Sequence, residues 1–187
     1  MNIGLGITGS FCTHNKALVT AKKLVEAGHN VFPIVTDVVV KTDTRFGKAN
    51  DFLQKLKEIT KNEVVHTITQ AEPLGPKGII DVIVIAPCTG NTLSKLANAI
   101  TDNAVTMTAK SLMRNNKPVV VAVATNDGLG LNFENVAKLT NTKNVYLVPL
   151  HQDDPTNKPK SLIADWEKVE STINFAMEGK QIQPLFF

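Results

Sequence analysis

Apolar and polar positions follow two rhythms along this chain. Short runs in which nearly every residue is apolar lie at 3–7, 31–35, 81–86 (opened by Asp81), 118–124 and 144–148 (opened by Asn144), with a briefer one at 64–65. Runs of that length, apolar on both faces, predict strands covered on both sides. Between them apolar residues recur three and four positions apart. Leu18, Ala21, Leu24 and Val25 give a helix over 15–27, stopped by Gly28. Phe52, Leu53, Leu56 and Ile59 give a second, and Leu93, Leu96, Ala97 and Ile100 a third. Further helices are predicted over 105–115, 132–141 and 161–178. Pro33 removes a ladder donor, so the second strand should bend or bulge there.

Strands alternating with helices define an α/β fold. Right-handed crossovers then give a single Rossmann-like, three-layer domain over 1–187, built on a doubly wound, six-stranded parallel sheet. A C-terminal tail occupies about 180–187. In such sheets ligands bind beyond the carboxyl ends of the strands, where the strand order switches.

The loops expected at that edge are Thr8-Gly9-Ser10, Thr36-Asp37, Pro87-Cys88-Thr89-Gly90-Asn91-Thr92 and Thr125-Asn126-Asp127-Gly128. All are rich in hydroxyls, amides and glycine. Each Ser or Thr alone reads first as a helix N-cap. Four such loops on one edge point instead to a phosphate-bearing ligand. Gly4, Gly6 and Gly9 spell GxGxxG only formally, because two of them fall inside the first strand, and no acidic residue follows the second strand before Asp37. GxxxxGK[ST] is absent. A mononucleotide with one phosphate fits better than a dinucleotide.

Composition narrows the field without changing that picture. A length of 187 residues supports one domain with a sizeable core, and 43% hydrophobic with 20% charged residues is globular rather than disordered. The net charge of +3 is scattered, and Arg45 and Arg114 are the only arginines, so no nucleic-acid face is expected. No apolar run reaches membrane-spanning length, and MNIGLGITGS has no signal-peptide pattern. Two cysteines, Cys12 and Cys88, make no disulfide framework and imply a reduced, cytoplasmic setting. No metal-ligand spacing occurs.

Ala86-Pro87-Cys88-Thr89-Gly90-Asn91-Thr92, followed by Lys95-Leu96-Ala97-Asn98 and Asp102-Asn103, resembles the PASANT-type motif of the homo-oligomeric flavin-containing cysteine decarboxylases. That family includes phosphopantothenoylcysteine and lantibiotic decarboxylases and UbiX-type prenyltransferases. The resemblance covers about residues 2–150 and implies FMN. Gly9, Ser10, Thr36 and Thr89 would then face its phosphate, with Thr92 a further donor. Pro87, Asn91, Thr125 and Asn126 would lie near its ring. A homo-oligomer is implied too.

Further strings match one branch of the family: Thr44-Arg45-Phe46-Gly47, Ala71-Glu72-Pro73-Leu74-Gly75-Pro76-Lys77, Thr125-Asn126-Asp127-Gly128-Leu129-Gly130-Leu131-Asn132 and Gln152-Asp153-Asp154-Pro155. That resemblance implies the second subunit of a synthase. Its partner is a dehydrogenase-like subunit using NADP, and its product a small aromatic dicarboxylate. Arg45 and Lys77 are the candidates for holding the substrate carboxylates.

The chain departs from the decarboxylases in two places. Their catalytic His, eight positions before the Asp that opens the fourth strand, falls on Pro73; the nearest His is His66. Their PxMNxxMW clamp falls near 123–127, where Asn126 is kept and no Met or Trp follows. Three functions stay open: an FMN-binding component of a synthase, a non-catalytic partner with an empty flavin site, and a flavin-dependent decarboxylase or prenyltransferase. The sequence names no catalytic residue. Phe186-Phe187 is expected to contact a partner chain.

Overall fold

The apolar runs become the centre of one sheet in a computed structural model that describes residues 1–187. The parallel strands are β1 (Asn2–Ile7), β2 (Asn30–Val35), β3 (Val82–Cys88), β4 (Val119–Thr125) and β5 (Val145–Leu147). They lie side by side as β2-β1-β3-β4, with β5 beside the first half of β4. Every residue of β3 is buried, as a strand with helices on both faces requires.

The sheet has seven strands, not six, and is not wholly parallel. The hairpin-like pair β6 (Leu150–His151) and β7 (Leu162–Ala164) runs antiparallel and pairs with the carboxyl end of β4, at Ala124 and Thr125. The helix expected over 161–178 therefore begins late. Residues 162–164 are strand, and the Asp165 side chain accepts from the Glu167 N–H to start a 3-10 turn, Trp166–Lys168. The last helix, Val169–Met177, follows. Leu162, Trp166 and Val169 have helical spacing, but tertiary pairing overrides it. The run at 64–65 is too short for a ladder and makes one bridge, Val65 to Ile34.

Pro33 causes no bulge: β1 and β2 stay in register from Asn2 opposite Asn30 to Ile7 opposite Val35. The Pro33 carbonyl turns outward and accepts from the Val65 N–H at 2.9 Å. In a strand the N–H and C=O of one residue face the same way, so the missing donor is missed on the outer side, not by β1.

The helices before that last one are α1 (His14–Glu26), α2 (Asp37–Lys41), α3 (Ala49–Thr60), α4 (Ile68–Ala71), α5 (Gly90–Ala97), α6 (Ala104–Arg114) and α7 (Asn132–Thr140). Gly6 faces α6, where an added Cβ would sit 3.2 Å from Val105. α1 ends where Gly28 takes φ +82, open to glycine at no steric cost. Capping boxes at Thr67 and Asn103 start α4 and α6. The tail folds back on its own domain. Gln181 brackets Leu147, donating to its carbonyl (2.7 Å) and accepting from its N–H (2.8 Å). The Leu150 N–H donates to the Leu185 carbonyl, covering the β6 edge. Phe186 and Phe187 stay half exposed. No helix is long and apolar enough to cross a membrane.

Candidate functional site

After β1 the chain moves outward to β2, then returns to the other side of β1 as β3. The strand order switches between β1 and β3, and their carboxyl ends are clipped together there. The buried Thr8 hydroxyl donates to the Pro87 carbonyl (2.8 Å) and accepts from the Thr89 N–H (3.0 Å). Gly9 and Thr89 stand above this clip as a ridge between two clefts.

The first cleft, about 480 Å³, opens toward α2 and α6, and Thr36, Asn91, Thr92, Lys95, Asp102 and Asn103 are among its walls. Several of its donors have no partner in the chain. The Thr36 hydroxyl is buried without a hydrogen bond, although Thr36 occupies the N-cap position of α2. The Gly9 N–H, on the ridge, meets no acceptor in the chain, and neither does that of Ser10 beside it, which faces the second cleft. Gly90 and Asn91 open α5, so their N–H groups have no acceptor within the helix. Lys95 reaches Asp102 at 2.6 Å, and the contact holds the Asp102 carboxyl below the usual range. Unpaired N–H groups, a free hydroxyl and a half-buried lysine are the donor set a phosphate dianion takes.

The second cleft, about 260 Å³, opens toward β4 and β7, and Ser10, Thr125, Asn126, Asp153, Ser161 and Leu162 are among its walls. Most of its polar groups are already engaged. Thr125 donates to Asp127 at 2.5 Å, Asn132 donates to the same carboxylate at 2.7 Å, and Ser161 donates to Asp153 at 2.5 Å. The last bond holds the Asp153 carboxyl below its ordinary value. Gly90 packs against this network. A Cβ there would meet the Asn132 amide at 2.6 Å and the Thr125 hydroxyl at 2.7 Å.

The sequence-predicted residues divide accordingly. Thr36, Asn91 and Thr92 line the first cleft, Ser10, Thr125 and Asn126 the second, and Gly9 and Thr89 both. The Thr89 hydroxyl caps α5, accepting from the Thr92 N–H, and Pro87 is buried and enters the site through its carbonyl. Asn98 spans two helices instead, accepting from Lys138. Cys88 is buried and its thiol pushed far above the usual range. Arg45 sits outside both clefts on an exposed turn closed by Thr44 and Gly47, its guanidinium 4.9 Å from the Phe46 ring centre. The structure does not bring Lys77 to this edge. Lys77 lies in the loop leading into the amino end of β3, whose carboxyl end carries the site. Its sequence neighbourhood gave no hint of that, because a loop between helix and strand can feed either edge. Sequence reasoning had Thr8 in a carboxyl-end loop and Lys95 in the motif that follows β3, and both line the first cleft; it missed Ser161, which reaches the edge only through the pairing of β7 with β4.

The fold and its edge define a doubly wound α/β class with an anion-ready cleft at the switch in strand order. A family model described as Flavoprotein matches residues 1–177, and the chain belongs to that family. The B subunit of dipicolinate synthase from Bacillus subtilis (strain 168) is 46% identical over 183 residues, 98% of this chain and 92% of that one. The crystal structure of the dipicolinate synthase B subunit from Bacillus halodurans C superposes with a TM-score of 0.91 at 47% identity, covering 100% of this chain and 98% of that one. The FMN-dependent cysteine decarboxylase SpaF, at 20% identity and TM-score 0.69 over 95% of this chain and 97% of that one, shares the fold.

Proposed function

We propose that this chain is the FMN-binding B subunit of a dipicolinate synthase and acts with the dehydrogenase-like A subunit, which carries NADP. It is one component of an oxidoreductase, inactive without that partner, and a homo-oligomer. Its setting is the mother-cell cytoplasm of a sporulating bacterium. The observation that carries this proposal is the end-to-end identity of 46% with a chain of that name.

The residues present fit the cofactor: a buried hydroxyl without a partner at Thr36 and unpaired N–H groups at Gly9 and Ser10 lie on one edge. Those groups would hold the phosphate, with Thr89 and Thr92 shaping the turn around it. Lys95, already paired with Asp102, would be shared between that carboxylate and the phosphate. Asn91 and Asn126, both exposed, would orient the ring from either side of the Thr89 ridge. FMN, when bound, supplies a two-electron acceptor and donor. Arg45 would meet a carboxylate of the small dicarboxylate substrate from its exposed turn. Lys77, at the far edge, would do so only across a contact with another chain.

A second proposal, that of a non-catalytic partner with an empty flavin site, draws on one observation. Pro73, where the decarboxylases have their base, lies in a 3-10 turn, Glu72–Leu74, and offers no proton acceptor from its side chain. Visible spectra during an FMN titration, followed by dipicolinate assays with the dehydrogenase-like partner, separate the two. The FMN reading expects a shifted flavin spectrum and a rate that depends on the flavin. A full rate with flavin-free chain supports the non-catalytic reading. An equal rate from the dehydrogenase-like partner on its own excludes an obligatory role.

A further inference from the structure

His14 opens α1 and lies outside the donor set just described. Its side chain is buried, stacked on Phe52 with ring centres 4.4 Å apart and tilted against Phe11 at 5.0 Å. Its Nε2 lies 3.0 Å from the Thr8 carbonyl oxygen. A carbonyl only accepts, so Nε2 carries the proton and donates. Thr8 is the residue whose hydroxyl clips β1 to β3. One side of Thr8 therefore faces β3, and its carbonyl is held from the α1 side.

The consequence lies in the next peptide unit. The Thr8 carbonyl and the Gly9 N–H belong to one planar trans peptide and point in opposite directions. With the carbonyl fixed toward α1, the Gly9 N–H points away from α1, and Gly9 borders both clefts. That N–H has no acceptor in the chain. The following turn is fixed in the same manner. The Ser10 carbonyl accepts both the Thr13 N–H (3.0 Å) and the Thr13 hydroxyl (2.8 Å). The Thr8 and Ser10 carbonyls are thus both tied down at the start of α1, by His14 and by Thr13, its N-cap residue. A carbonyl turned toward the site would repel a phosphate where an N–H attracts it.

We propose that His14 is a positioning residue for anion binding. By holding the Thr8 carbonyl it aims the Gly9 N–H into the site, where that N–H donates to the phosphate of the cofactor. This rests on the FMN reading for the identity of the ligand but not for the geometry.

The test separates the ring from its donor. His14→Phe keeps an aromatic ring between Phe11 and Phe52 and removes the N–H; His14→Gln removes the ring and keeps a donor of similar reach. FMN affinity is read by fluorescence quenching and inorganic phosphate affinity by equilibrium dialysis, with thermal unfolding as the check on folding. We expect His14→Phe to weaken both ligands tenfold or more and His14→Gln to stay within threefold of the wild-type chain. His14→Phe within threefold, or His14→Gln falling as far as His14→Phe, overturns the proposal. A wild-type chain that takes phosphate but not FMN defeats the FMN reading while the two variants are still scored on phosphate. A wild-type chain that takes neither defeats both.

Discussion

The two clefts beside the Thr89 ridge are made of the same residue types and differ in what those residues are doing. Toward β4 and β7, Thr125, Asp127, Asn132, Asp153 and Ser161 satisfy one another. Toward α2, the Thr36 hydroxyl and the Gly9 N–H have no partner in the chain. Buried polar groups are normally paired within the protein, by water or by a ligand. A satisfied group builds a wall; an unsatisfied one can receive a ligand. The difference teaches that a hydroxyl-rich loop is not evidence of binding until its hydrogen bonds have been traced.

The contrast breaks most visibly at Gly90, where the wall touches the receptor. Gly90→Ala forces a Cβ to 2.6 Å from the Asn132 amide and 2.7 Å from the Thr125 hydroxyl. Overpacking of this kind costs about 2–3 kcal/mol, and urea unfolding should show it together with lost FMN uptake. Asp127→Ala, which leaves Thr125 and Asn132 without their acceptor, should cost about 1–2 kcal/mol of stability and affect FMN affinity less.

The sharpest contrast pairs two threonines of equal chemistry. Thr36→Val removes a hydroxyl that bonds to nothing in the chain. Stability should hold or rise while FMN affinity falls about tenfold, or ~1.4 kcal/mol. Thr89→Val removes a helix cap and should cost ~1 kcal/mol of stability as well. Equal stability losses in the two would erase the distinction between receptor and wall.

Burial lowers the His14 pKa from its ordinary 6.5. The unfolded chain then takes up a proton in the range just below pH 6.5 that the folded chain refuses. This contribution to stability is present above that value and lost as pH falls through it. Denaturant midpoints measured at about pH 7.5 and about pH 5.5 should differ for the native chain and differ less for His14→Phe. Smallest of all, Arg45→Ala should leave FMN affinity unchanged and raise the KM for the dicarboxylate in assays with the dehydrogenase-like partner.

Much of this molecule is legible from its sequence. The strands at 3–7, 31–35, 81–86 and 118–124 appear within two residues of their expected bounds, because a strand buried on both faces admits only apolar residues. The four carboxyl-end loops follow from strand order alone. Their resemblance to flavin proteins rests on a string, 86–103, whose residues the fold needs at that turn.

Tertiary structure decided the rest, since each remaining point depends on a partner distant in sequence. Residues 162–164 carry a helical period and become a strand because the end of β4 offers unpaired backbone. Pro33 leaves the sheet intact because its carbonyl faces Val65 rather than β1. Lys77 reads as an anion ligand and sits at the opposite edge. The free hydroxyl of Thr36 and the occupied one of Thr125 look alike in one dimension, and only the fold gives one a carboxylate within 2.5 Å and the other nothing. Sequence sets which groups can bind, through composition and local period; the fold sets which are left free to do so, because hydrogen-bond partners are chosen in space.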